Sequence, residues 1–116
     1  MINMNLVSFE HYRDNYQELL TNKEDYTIFV RALTERNYDL FKNMINPNLS
    51  VRHMKVNHVD HIFSISEGFK QKIDPFLIAH PCNLQILAAK KNMKKGASCG
   101  HTIEALKEKV ELKGIV

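Results

Sequence analysis

Apolar side chains fall three and four residues apart through the first 45 positions of the chain, the spacing of helices that each bury one stripe. Phe9, Tyr12, Tyr16, Leu19 and Leu20 define a first helix, with Ser8 placed to cap it. Tyr26, Phe29, Val30 and Leu33 follow the i, i+3, i+4, i+7 pattern and define a second helix over about 23–36, capped by Asn22 or Thr21. A third, Tyr38 to Ile45, is expected to bury Leu40, Phe41, Met44 and Ile45. Asn46-Pro47-Asn48 should end it, because proline lacks an amide donor and biases the residue before it out of the helical region. These aromatic and aliphatic stripes are read as core.

The pattern then changes. From Val51 to Ile62 the chain reads as extended, with Val56 and Ile62 apolar around a polar run, and a second strand is expected from Asn83 to Leu87. The interval between them, Phe63 to Cys82, reads as a long loop with turns at Gly68 and Pro75 and one helical turn over Pro75-Phe76-Leu77-Ile78. Ala88 to Lys95 favours helix, with Gly96 able to end it in a left-handed cap, and a last helix from about Thr102 carries Ile103, Leu106 and Val110 as its buried stripe. No internal repeat, low-complexity segment or linker is visible. The expectation is a single α+β domain: a helical part at 1–48, a strand-loop-strand-helix core at 51–99 and a terminal helix at 100–116.

Length and composition agree. One domain is expected from 116 residues, with a modest core that needs neither disulfides nor a structural metal. No apolar run approaches the roughly 20 residues that span a bilayer, and no signal-peptide pattern opens the chain, so a cytoplasmic protein without membrane contact is expected. Cys82 and Cys99 are isolated and form no Cys-x-x-Cys pair, which argues against structural zinc.

Charge distribution says more than the net +3 does. Residues 1–50 hold five basic and seven acidic side chains, whereas residues 51–99 hold eight basic and three acidic ones. Phosphate attraction is therefore expected on the second segment, although a basic run also reads simply as a solvated face. Arg31, Arg36 and Lys42 read as solvated or locally paired.

The candidate chemistry lies on the same segment. Asp60 and His61 sit side by side at the end of the first expected strand, Asn83 opens the second, and Asn92 follows on a Lys-rich helix with Lys95-Gly96 beyond it. This stretch, His58-Val59-Asp60-His61 through Asn83-Leu84-Gln85 to Asn92-Met93-Lys94-Lys95-Gly96, resembles the HNH (ββα-metal) endonucleases, most closely the small phage-type members related to homing enzymes. The run from Val30 to Asn48 is similar to what precedes the motif in phage members. The resemblance implies a ββα-metal nuclease core, DNA as partner and one magnesium or manganese ion per site.

Chemistry fits the residues to those tasks. His61, with an imidazole neutral near pH 7.5, suits general base catalysis on water. Asp60 and Asn92 offer a carboxylate and an amide oxygen, hard ligands for a loosely held divalent ion. In the family the middle Asn, here Asn83, ties the loop after the first strand to the second strand and helps set the angle of the catalytic His. Lys95, one turn beyond Asn92, is assigned to substrate phosphate, with His58, Lys94 and Lys91 as further phosphate contacts; Lys90 shares that helix. His53, His80 and His101 receive no role. A monomer or weak homodimer is expected. The alternative is a catalytically silent protein that binds DNA or a host factor.

Overall fold

The computed structural model describes residues 9–50, 52, 57–88, 91 and 102–113. It is mixed α and β, mostly helical, with one small two-stranded antiparallel sheet.

The long helix α2, Lys23–Leu40, is the element the others pack on. Asn22 caps it by accepting from the Asp25 amide at 3.1 Å, and Glu24 and Asp25 put negative charge at the positive end of the helix dipole. Its stripe of Tyr26, Phe29, Val30 and Leu33 is fully buried. Phe29 meets Phe9, Tyr12 and Phe76 edge to face at 5.6, 5.2 and 5.5 Å between ring centroids. Each such contact adds about 0.5–1.5 kcal/mol beyond burial, so one side chain joins three elements.

The amino-terminal helix is shorter than expected. It divides into α1, Phe9–Arg13, and a 3-10 helix over Tyr16–Thr21, which tightens the chain and turns Leu19 into the core. The expected break after Arg36 is also displaced: α2 continues to Leu40, and only Phe41 separates it from α3, Lys42–Ile45. Asn37 explains the continuation, because its side chain donates to Ala79 O at 2.8 Å and is satisfied within the protein. Consequently Leu40 and Met44 are 66% and 38% exposed, against the expected burial, while Ile45 is buried.

The strand β1 spans Asn57–His61, and β2 spans Leu84–Ala88. They pair with Asn57 opposite Ala88, Asp60 opposite Gln85 and His61 opposite Leu84. Ala88 thus ends a strand and does not open a helix. Tyr38, Ile45 and Leu84 form a small second core that seats the sheet against the end of α2.

The interval between the strands is structured. α4, Ile65–Lys70, is capped by Ser64, which accepts from the Glu67 amide at 3.1 Å. Gly68 lies inside it and marks no turn: a Cβ there would stand 2.8 Å from Ile78 Cγ1 and from Tyr26 Oη. α5, Pro75–Ile78, is the single helical turn anticipated, with Asp74 as its cap and Pro75 in the first turn. A 3-10 turn over Pro81–Asn83 follows, and α6, Ile103–Lys113, closes on the core through Leu106. Among the described residues no helix is long and apolar enough to cross a membrane.

Candidate active site at the end of the first strand

Asp60 and His61 are consecutive on β1, so their side chains leave opposite faces of the strand. Asp60 is only 5% exposed, and Gln85, its register partner on β2, donates from Nε2 to Asp60 Oδ2 at 2.9 Å. A carboxylate gripped by its cross-strand neighbour is held in one orientation, which an exposed aspartate would not be.

His61 turns toward α2. Its Nε2 lies 2.8 Å from Thr34 Oγ1, and the same oxygen donates to Val30 O at 2.7 Å. A hydroxyl has one proton, and a carbonyl has none, so the Thr34 proton belongs to the contact with Val30. The proton in the other contact must come from His61. Nε2 therefore carries hydrogen, and in the neutral imidazole the lone pair is on Nδ1.

Asn83 is fully buried where β1 ends and β2 begins. Its Oδ1 accepts from the Phe63 amide at 2.7 Å, while Nδ2 donates to Phe63 O at 2.9 Å and Ile78 O at 2.7 Å. The Ile62 amide donates in turn to Asn83 O at 2.8 Å. The amide side chain thus clasps Phe63 and ties it to α5, the Asn83 backbone carbonyl holds Ile62, and every backbone group so met would be costly to bury unpaired.

His58 is half-buried on the same face of β1 as Asp60. Lys91 is exposed, in helical backbone. Asn92, Lys94, Lys95, Lys90, His53, Cys99 and His101 lie outside the described residues. Among the described residues no three His, Cys, Asp or Glu side chains gather as metal ligands.

Two residues joined to this arrangement were not singled out for it. Gln85 falls within the stretch that resembles the HNH motif but is given no role by it, and Thr34 reads only as part of a helix. Thr34 did carry a signal: it continues the buried stripe of Tyr26 and Val30 at four-residue intervals, and a polar residue on a core-facing stripe needs a partner. No protein-family model, curated protein or solved structure matches the chain.

Proposed function

We propose that the protein is a metal-dependent HNH-like endonuclease that hydrolyses DNA phosphodiester bonds. The observation that carries the reading is the placement of His61, fixed through Nε2 by Thr34 at the end of a strand whose preceding residue is a buried, oriented aspartate. In this reading His61 takes a proton from water at Nδ1, while Thr34 receives the Nε2 hydrogen bond and keeps the ring from rotating. Asn83 acts on His61 through the backbone of Ile62 and Phe63.

Asp60 fits a magnesium or manganese ion by its donor chemistry, a hard carboxylate oriented from the side by Gln85, and Asn92 would be the second protein ligand. Such an ion, when bound, supplies charge for the phosphoryl and leaving oxygens. Lys95, with Lys94, Lys91 and His58, would hold the phosphates of the substrate.

One observation favours a second reading. Asp60 bonded to Gln85 and His61 bonded to Thr34 also brace the sheet against α2, as they would in a protein that binds DNA or a host factor without cutting. Duplex DNA incubated with magnesium at low salt separates these. The proposal expects salt-sensitive binding and cleavage suppressed by chelator; binding without cleavage marks the silent relative, and neither marks a host-factor binder.

A further inference from the structure

Between α1, α2, α5 and α6 lies an open cavity of about 300 Å³. Arg13 and Arg36 stand on its wall beside Asp74, and Phe76, Leu77 and Val110 supply apolar surface. Each guanidinium lies over an aromatic ring, Arg13 Cζ 5.7 Å from the Phe76 centroid and Arg36 Cζ 5.0 Å from that of Phe9. Cation–π attraction of this kind holds a guanidinium in place and leaves its N–H donors for other partners.

Those donors lack an acid. Among the described residues no carboxylate oxygen lies within 4.0 Å of either arginine, and Arg36 Nε is buried with no hydrogen-bond partner. Asp74 shares the cavity, but its Oδ1 accepts from the Phe76 amide at 2.9 Å as the cap of α5. A buried, unsatisfied charged donor costs more than an ordinary lost hydrogen bond, and a second cation nearby adds repulsion. An anion placed between the two would relieve both costs.

We infer that this cavity binds a small organic anion, a carboxylate or phosphate head held by Arg13 and Arg36 with its apolar body against Phe76, Leu77 and Val110. The site is separate from the residues proposed for cleavage and does not depend on that reaction. Its size is at the low end of ligand pockets, enough for a single ring or a short chain. A fork of donors favours a planar or tetrahedral oxyanion over halide. Asp74 opposes the anion, so removing its charge should tighten binding.

The test uses benzoate and phenyl phosphate as probes, with benzyl alcohol as neutral counterpart and inorganic phosphate as head alone. Binding is read by calorimetry and by the melting temperature of the full chain. Benzoate or phenyl phosphate should bind saturably at millimolar concentration or below, and more tightly than either control. Arg36→Gln should weaken binding about tenfold or more, Arg13→Gln should do likewise, and Asp74→Asn should strengthen it. If Arg36→Gln fails to fold, Arg13→Gln alone decides. Equal binding of benzyl alcohol, undiminished affinity in a folded arginine variant, or no saturation by either anion would overturn the inference. Tight binding of a 5′-phosphorylated oligonucleotide that the aromatic anions cannot displace would also overturn it, by making the arginines part of a nucleic-acid surface.

Discussion

The single proton of Thr34 decides which nitrogen of His61 is basic. Thr34→Val removes the acceptor while nearly keeping the shape, so the ring loses the partner of its Nε2–H. If His61 is the general base proposed above, turnover should fall about tenfold or more, the range for a group that orients a catalytic ligand, and nitrogen NMR should show the Nε2–H form of His61 giving way to a mixture. Thr34→Ser keeps the hydroxyl and should retain most of the activity. Unchanged tautomer and rate in Thr34→Val would remove Thr34 from the site.

Asp74 supplies a second test at this scale. Burial raises its carboxyl pKa, and the Phe76 amide only partly offsets that. A folded pKa above the unfolded one means that the native state favours the protonated acid. The stability it contributes is complete below the ordinary carboxylate range and is lost as pH rises through the folded value. Asp74→Asn keeps an oxygen for the Phe76 amide and carries no charge. It should therefore melt above the wild type at neutral pH, with the gap closing below about pH 4. A gap independent of pH would show that the charge of Asp74 is not what burial penalises. Tyr26 is held neutral more firmly: burial first, then Asp74, pushes its phenol up, and Oη donates to Ile73 O at 2.9 Å.

At the scale of elements, Gly68 makes the sharpest demand. Alanine inside a helix normally gains about 0.5–1 kcal/mol over glycine. Here the new methyl would enter the contact between α4, Ile78 and Tyr26, where overpacking costs about 1–3 kcal/mol. Gly68→Ala should thus lower the urea midpoint; a higher midpoint would mean that Ile78 swings aside without cost.

The same glycine shows where local reading ends. A glycine and a proline between two strands suggest turns, yet Ser64-Ile65-Ser66-Glu67 carries a serine three residues before a glutamate, the sign of a helix start, and α4 begins there. Asn22 as cap and the turn at Pro75–Ile78 were legible because their signals are local. The junction at Phe41 was not, since neither glycine nor proline marks it and its position follows from packing of Tyr38 and Ile45 against Leu84. Asp60, His61 and Asn83 could be named from the chain alone. That His61 would meet Thr34, 27 residues away, depends on how β1 docks on α2.

For the whole molecule, the fold brings the end of β1, the start of β2 and the middle of α2 to one place, with Asn83 as the clasp. The basic excess of residues 51–99 lies on the same stretch of sequence as Asp60 and His61, which is why the proposed partner is DNA. If the chain cleaves DNA as proposed, its one Asp60-His61 pair makes one cut per encounter, and the second strand needs a second copy or a later visit. The most direct measurement is a time course on supercoiled plasmid at low protein concentration, with magnesium, with chelator, and with His61→Ala. The account predicts relaxed circles first and linear DNA later for the wild type with magnesium. It predicts no conversion in chelator, and none with His61→Ala although that variant still binds DNA. Plasmid left supercoiled by the wild type with magnesium, or cut equally by His61→Ala, would contradict it.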